Sequence, residues 1–330
     1  MSGPNKNLYI CRLFIHSFFS ELKPNLLRYY LFAVASMFFW ALTFIWFKTA
    51  VAWYEPITII FLRLVLASML LYSFAKLSRQ YQAVKRSDYK WFMLLALSEP
   101  FFYFIGESFG LKFVSTTISS AIIATIPLFS PLAAALFTRE KVTFFAWAGI
   151  IVSFVGILLM VFNLDFSFNA EPKGIALLFL AVFSAVAYSI LIKRLANKYS
   201  ALTIISTQSL IGAFYFLPLF LVMDFSAFIT ITPPLSVILA IIQLSVFGSC
   251  MAFLLFIMVI AKLGMVKANL FTNLIPVFTA ILSYFVLAEI FTVQKMIAIL
   301  LVIGGIVVAQ TREIMELLRR KRNKQPLKSL

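Results

Sequence analysis

The chain has 330 residues, of which 63% are hydrophobic and only 12% are charged, and its mean hydropathy is +1.01. So few charged residues could not cover the surface of a water-soluble globular protein, so the composition indicates an integral membrane protein. The net charge of +16 would also fit a nucleic-acid-binding protein. That class is excluded because the basic residues flank apolar segments and form no face with base-stacking aromatic side chains.

The N-terminal segment, residues 1–28, is the first predicted element. Within residues 8–22 and just beyond, polar side chains recur at helical spacing, namely Arg12, His16, Ser20 and Lys23. This pattern predicts an amphipathic helix on the membrane surface. Arg12 and His16 interrupt the apolar stretch and no small-residue cleavage site follows, so a cleavable signal sequence is not expected.

Ten apolar runs of roughly twenty residues follow, each long enough to cross a bilayer as a helix. They lack the two-residue alternation of membrane β-strands. The fold class is therefore an all-α integral membrane protein, and the short connections leave no room for a soluble domain. The ten predicted spans, numbered in chain order below, are 29–48, 56–76, 90–111, 116–138, 143–162, 173–193, 201–223, 235–262, 266–288 and 292–311.

The positions of lysine and arginine predict the orientation of the spans. With a cytoplasmic N-terminus, 23 of the 28 basic residues lie on the cytoplasmic side. Lys48, Lys112, Lys173 and Lys295 lie outside, and Arg63 lies within a span. This bias predicts that both termini are cytoplasmic in a multi-pass protein of the cytoplasmic (inner) membrane. The basic tail, residues 312–330, ends the chain and either contacts anionic lipid headgroups or serves only as a topology anchor.

The chain contains an internal repeat. An offset of 149 residues pairs Pro127 with Pro276, Glu140 with Glu289 and Gly156 with Gly305 without a gap. An offset of 145 pairs earlier residues, including Lys48 with Lys193 and Tyr54 with Tyr199. Because proline, glutamate and glycine are uncommon in membrane spans, their shared register predicts two five-helix halves, residues 29–162 and 173–311.

Five spans per half is an odd number, so the second half must enter the membrane from the opposite side. The charges agree, because the loop 76–90 carries five basic residues and its counterpart, 224–235, carries none. Inverted halves related by an axis in the membrane plane are an architecture of secondary transporters. The repeat therefore predicts a secondary transporter whose halves exchange roles as the site opens to one side of the membrane and then to the other.

The segments "IPLFSPLAAALFTREKVTFFAWAGIIVSFVGILLM" and "IPVFTAILSYFVLAEIFTVQKMIAILLVIGGIVVA" resemble the EamA family of the drug/metabolite transporter superfamily. Arg63 resembles an arginine often met in the second span of that family. The resemblance implies a cavity lined mainly by the third, fourth, eighth and ninth spans, with contributions from the first and sixth. It also implies metabolite transport, often export, without ATP hydrolysis. Pro131 departs from the repeat, because its partner is Ala280.

Three acidic or basic residues are embedded in the predicted spans, away from the span ends: Arg63, Glu99 and Glu107. An ionised side chain at a helix centre costs roughly 2.5 to 3.5 kcal/mol on insertion scales, so these residues must face a cavity or a partner. Tyr103 is one turn from both glutamates, so the three predict a polar stripe on the third span. Pro100 frees a carbonyl group there that could accept a hydrogen bond from a substrate.

Arg63, Glu99 and the two glutamates at helix ends are interpreted separately. Arg63 either pairs with Glu107 or Glu99, which we favour, or binds a substrate carboxylate. Glu99 is interpreted as a group that binds a cation or carries a proton, because a buried carboxyl group can hold a proton at neutral pH. Glu140 and Glu289 lie at helix ends, where capping and loop packing are favoured over ligand binding.

Further candidates line the same predicted cavity. Asn269 and Asn273 lie one turn apart before Pro276 and either bind polar substrate groups or join helices. Trp40, Phe44 and Tyr188 are candidate aromatic walls. Pro100, Pro127 and Pro276 are candidate hinges that bend the third, fourth and ninth spans.

The sequence thus predicts a secondary transporter, and an exporter, of a small organic metabolite such as an amino acid or amine, with protons as a candidate coupling ion. It predicts no cofactor and no metal, since the two cysteines are far apart and His16 stands alone. A nucleotide-sugar or sugar-phosphate carrier is the alternative within the class, although only one basic residue is embedded. An intramembrane enzyme acting on a lipid-linked substrate is the alternative from another class, although no span holds a histidine. The oligomeric state is left open.

Overall fold

The described residues of the first half form helices joined by short turns and loops. The computed structural model describes residues 24–129, 144–161, 170–196, 198–263, 271–289 and 292–309 of the chain. The helices of the first half are Pro24–Val51, Pro56–Leu77, Tyr89–Ala96, Tyr103–Phe113, Thr116–Ile123 and Phe144–Val161. A short 3-10 turn, Arg86–Asp88, precedes the third span, and a π-helical segment, Leu97–Phe102, interrupts it.

The second half has the same character. Its α-helices are Pro172–Ala196, Ala201–Leu219, Phe225–Thr230, Leu235–Gln243, Ala252–Leu263, Leu274–Leu287 and Val293–Ala309. A π-helical segment, Leu244–Met251, lies inside the eighth span, and another, Phe220–Asp224, ends the seventh. The third and eighth spans occupy equivalent places in the two halves, so each half has an interrupted helix at the same position.

Local sequence signals account for where several helices begin. Glu55 has an extended backbone and is followed by Pro56 in the first turn, where proline's missing N–H costs nothing. Ser115 and Ser200 are N-caps whose hydroxyl oxygens accept hydrogen bonds from the backbone N–H groups of Ile118 and Thr203.

The described helices agree with the predicted class and with the positions of the spans. Six helices are long and apolar enough to cross a membrane, and shorter apolar helices of 10 to 17 residues lie within the fourth, fifth, ninth and tenth predicted spans. The number ten itself stays a prediction. The predicted interfacial helix 8–22, the basic tail, Pro131 and Glu140 lie outside the described residues.

The closest helix pairs join the two halves. The second span packs on the seventh, the third on the sixth, and the fifth on the tenth. The first span packs on both the eighth and the ninth. Each half therefore buries its apolar surface mainly against the other half, and a space remains between them near the middle of the bundle.

The fifth and tenth spans approach each other through small residues. A Cβ atom added to Gly156 would lie 2.8 Å from the carbonyl oxygen of Ala298, and one added to Gly305 would lie 2.6 Å from that of Gly149. The hydroxyl of Ser153 donates a hydrogen bond of 2.9 Å to the carbonyl oxygen of Val302. Such close backbone approach is the usual basis of helix association in lipid.

At the end of the bundle predicted to face outward, two carboxylates of the second half cap helices of the first half. Glu289 accepts hydrogen bonds from the backbone N–H of Thr116 at 2.8 Å and from the hydroxyl of Thr117 at 2.7 Å. Asp224 accepts from the backbone N–H and the hydroxyl of Thr58, at 3.0 and 2.8 Å. For Glu289 this confirms the capping interpretation.

At the opposite end, Asp88 joins the halves. Its carboxylate accepts hydrogen bonds from Lys198 Nζ at 3.0 Å and from Tyr199 Oη at 2.9 Å. The backbone N–H of Lys85 donates to the same tyrosine oxygen at 3.1 Å. Polar contacts between the halves therefore lie at both ends of the central space.

Candidate functional site

A cavity lies between the two halves. Its volume is about 160 Å³, which is room for on the order of ten waters. Its wall comes from the first, second, third, fourth, sixth, eighth and ninth spans. This is the set of spans that the family resemblance implies, with the second span added through Arg63.

Most of the predicted site residues meet at this cavity. The predicted residues on its wall are Trp40, Phe44, Arg63, Glu99, Tyr103, Glu107, Pro127 and Tyr188. Asn273 and Pro276 are buried but lie away from the wall, whereas their neighbours Thr272 and Ile275 are on it. Asn269 lies outside the described residues. The geometry thus gathers these residues, and their role in binding remains a prediction.

The third span is broken at Glu99. Its backbone is extended, with φ −144° and ψ 120°, between two helical stretches, and the Glu99–Pro100 peptide is cis. The carbonyl oxygen of Glu99 accepts a hydrogen bond of 2.8 Å from Gln208 Nε2 on the seventh span. The carbonyl oxygen of Glu99, the residue directly before Pro100, is therefore bonded to the protein.

The two embedded glutamates differ in their partners. The hydroxyl of Tyr103 donates a hydrogen bond of 2.9 Å to Glu107 Oε1. Within the described part of the chain, no hydrogen bond or ion pair is recorded for the Glu99 carboxyl group, although the residue is only 7% exposed. Glu99 therefore presents to the cavity a buried acidic group that has no hydrogen-bond or ion-pair partner among the described residues.

Arg63 differs from the favoured sequence interpretation. Its Nε donates a hydrogen bond of 2.6 Å to Ser249 Oγ, and its guanidinium lies 4.4 Å from the centre of the Phe104 ring. Among the described residues, no carboxylate oxygen of Glu99 or Glu107 lies within 4.0 Å of an Arg63 nitrogen, which is the limit for an ion pair. The expected close pair with Glu99 or Glu107 is thus replaced by a hydroxyl and an aromatic face, which hold the cation without a carboxylate.

Aromatic rings form much of the remaining wall. Trp40 packs edge-on against Phe253 and Phe256, with ring centres 5.1 and 5.0 Å apart. Tyr188 and Phe104 close other sides. Aromatic faces attract organic cations as well as apolar groups, so this wall suits a substrate with both.

Gln208 and Ser249 are two of the polar residues near the cavity that were not among the candidates from the sequence. Both are buried, and both line a small pocket that adjoins Glu99 and Pro100. The sequence did carry a signal for Gln208, because at the 145-residue offset it aligns with Arg63. Ser249 carried a weaker one, since serine in a span usually bonds its own helix.

The charges of the cavity are those of one guanidinium and two carboxyl groups. If all three are ionised, the net charge is −1, which favours a ligand with an ammonium group over an anion. Among the described residues there is no group of three or more histidine, cysteine, aspartate or glutamate side chains that could hold a metal ion.

Comparison with known proteins agrees with this geometry. Residues 27–162 and 172–311 each match the profile of the EamA-like transporter family. An "Uncharacterized transporter" of Archaeoglobus fulgidus is 26% identical over 273 residues, which are 81% of this chain and 93% of that protein. The "Uncharacterized transporter YdfC" of Bacillus subtilis is 26% identical over 267 residues, covering 81% and 86%.

The fold is also found among solved structures. One crystal structure superposes with a TM-score of 0.64 over 86% of this chain and 98% of that chain, at 17% sequence identity. At that identity the likeness concerns the fold alone.

Proposed function

Because the chain belongs to the EamA-like transporter family, we propose that it is a secondary transporter that exports a small organic metabolite bearing an amino group. The metabolite crosses the cytoplasmic membrane by alternating access between two inverted halves, 29–162 and 173–311, with both termini in the cytoplasm. The relatives are named as transporters, which supports transport, and their names specify no substrate.

The Glu99 carboxyl group is the observation that supports an amino group on the substrate. It lies in a cavity rich in aromatic rings, and no described residue forms a hydrogen bond or ion pair with it. A buried carboxylate without a partner costs several kcal/mol, so it must take a proton or a cationic ligand. An ammonium group would satisfy Glu99 while its organic part contacts the aromatic wall around Trp40.

The second charge in the cavity extends the proposal to amino acids. Arg63 uses Nε for Ser249, and its guanidinium borders the cavity. A substrate carboxylate could accept from the remaining N–H groups while its ammonium meets Glu99. A phosphate-bearing substrate is less well served, since Arg63 is the one basic residue on the described wall.

A proton is the proposed coupling ion. Glu99 can hold either a proton or an ammonium group but not both, so loading substrate would release the proton. Exchange of one for the other at a single site links their fluxes without ATP. Glu107 is a poorer candidate for this role because Tyr103 already donates to it.

Reconstituted liposomes test the proposal. Purified protein should move a radiolabelled amino acid or amine from a panel of such compounds, and Glu99→Gln should abolish the movement or its dependence on pH. Glu55→Gln is a matched control, because Glu55 is exposed and pairs with Lys112 at 2.6 Å outside the cavity. Wild-type rates for Glu99→Gln at every pH would contradict the role of Glu99.

The substrate can be sought in a thermal-shift screen. A ligand that binds only the folded state raises its melting temperature, by an amount that grows with concentration over Kd. Amino acids, polyamines and aromatic amines should be compared with sugar phosphates and nucleotide sugars. Stabilisation by the phosphate-bearing group alone would favour the alternative substrate class.

A further inference from the structure

Gln208 contacts the broken third span where Glu99 lies. Its Nε2 donates a hydrogen bond of 2.8 Å to the carbonyl oxygen of Glu99. The backbone of Glu99 is extended, which keeps that oxygen out of the hydrogen-bond pattern of the helix. Gln208 is itself only 6% exposed. An unpaired carbonyl in lipid costs several kcal/mol, so this amide satisfies a group that the break would otherwise leave unpaired.

Gly212 and Gln208 together form the surface of the seventh span on which the Glu99–Pro100 unit rests, which we call the seat. Gly212 lies four residues after Gln208, hence on the same face of the seventh span. A Cβ atom on Gly212 would clash with Cγ of Pro100, so the proline ring rests directly on the glycine backbone. One helix face thus fixes both residues of the Glu99–Pro100 unit, one by a hydrogen bond and one by contact.

Tyr188 connects this seat to the cavity. The tyrosine lines the cavity wall, and its hydroxyl donates a hydrogen bond of 3.3 Å to Gln208 Oε1. The amide therefore receives a hydrogen bond from the wall on one side and gives one to the break on the other. A ligand that moves the Tyr188 ring would act on Glu99 through Gln208.

The repeat places a matching contact in the other half. Gln208 aligns with Arg63 at the 145-residue offset, and Ser249 aligns with Pro100 at the 149-residue offset. Arg63 donates across the halves to Ser249 in the interrupted eighth span, as Gln208 donates across the halves to Glu99 in the interrupted third span. Equivalent residues thus contact equivalent π-helical segments, one with a charged group and one with an amide.

We propose that Gln208, seated with Gly212 and tied to Tyr188, is the positioning residue that aims the Glu99 carboxyl into the cavity. Gln208 acts through the backbone of Glu99 and does not bind substrate. An effect of Gln208 on transport rests on the proposed function, in which Glu99 binds the substrate. The positioning itself can be measured without a substrate.

The test is the infrared C=O stretching band of the Glu99 carboxyl, recorded as a difference between acidic and alkaline buffer in the full-length protein. The band is assigned by its loss in Glu99→Gln. Gln208→Leu should shift or broaden this band, and Tyr188→Phe should shift it less in the same direction. Thr207→Val is the matched control, because the neighbouring Thr207 hydroxyl is buried without a recorded hydrogen bond, and it should leave the band unchanged.

An unchanged Glu99 band in folded Gln208→Leu would overturn the proposal. If Gln208→Leu does not yield folded protein, Tyr188→Phe decides, since it keeps the ring and removes only the hydroxyl; an unchanged band there has the same meaning. Transport is scored separately with a radiolabelled amine that the wild type moves. A Glu99 band that is unchanged in these variants refutes the positioning role, whereas normal transport by Glu99→Gln refutes the proposed function.

Discussion

Glu289 and Thr116 join the two halves of the protein through a helix cap. The carboxylate belongs to the end of the ninth span, and the N–H and hydroxyl groups that it accepts from belong to the first turn of the fourth span. The hydroxyl of Thr116 also contacts that of Ser283 on the ninth span. The cap therefore joins the two halves at the predicted outer end of the bundle as well as stabilising a helix.

Glu289→Ala should make the cavity more accessible from that end. Hydrogen bonds to a charged group are each worth about 1.5 to 3 kcal/mol, so the loss should raise the open population at least about tenfold. A cysteine at Ala185 on the cavity wall, in protein with Cys11 and Cys250 replaced by alanine, reports this through its labelling rate by a membrane-impermeant thiol reagent.

Glu55→Ala at the same predicted end is the control for that labelling. Glu55 is exposed and its ion pair with Lys112 contributes little, because exposed pairs are worth about 0 to 1 kcal/mol. Equal labelling rates in Glu289→Ala and Glu55→Ala would show that the cap does not hold this end closed.

Asp224→Ala should lower the melting temperature of the purified protein. The change leaves the buried N–H and hydroxyl of Thr58 without their acceptor, at a cost of about 1 to 3 kcal/mol for each unsatisfied group. Thr58→Val removes the hydroxyl alone and should cost less. A double-mutant cycle with Thr58→Val should give a coupling energy of about 0.5 to 3 kcal/mol, and strict additivity would contradict a direct interaction.

Arg63→Lys should not preserve the function of Arg63. Lysine keeps the charge but has no planar guanidinium to lie on Phe104 while Nε donates to Ser249. We expect a loss of about 1 to 3 kcal/mol in stability and a weaker affinity for any zwitterionic ligand found by screening. Thermal unfolding and a titration measure the two effects, and unchanged values for both would refute this role of Arg63.

Gly305→Ala should destabilise the protein, whereas Gly304→Ala should not. An added methyl on Gly305 meets the backbone of Gly149 and Ser153, while one on Gly304 meets nothing within 4 Å. Overpacking costs about 1 to 3 kcal/mol, and alanine in an open helical position gains about 0.5 to 1 kcal/mol over glycine. Melting temperatures of the adjacent pair test this directly, and equal shifts would contradict the close approach of the fifth and tenth spans.

The class of fold could be predicted because lipid requires it. Long apolar runs must be helices there, and the positions of Pro127, Pro276 and the repeated glutamates expose the duplication. Tyr103 and Glu107 were also predictable, since residues four apart on a helix are neighbours, and the structure joins them by a hydrogen bond.

The partners across the halves could not be predicted in the same way. Helical periodicity places Arg63 and Glu99 toward the interior but does not say which side chain of another span each meets. Among the described residues, Arg63 contacts Ser249 and the ring of Phe104 and forms no ion pair with a carboxylate. The break at Glu99 likewise depends on the seat that Gln208 and Gly212 provide on another helix.

The pairing of helices across the halves has a consequence for biosynthesis. The first half is inserted into the membrane before the spans that pack on it, and its fifth span then has its small-residue face against lipid instead of the tenth span. Native packing of that half therefore waits for the last helix to be made. A chain that is released before residue 293 should be recognised as unassembled and degraded, although the whole first half is already in the bilayer.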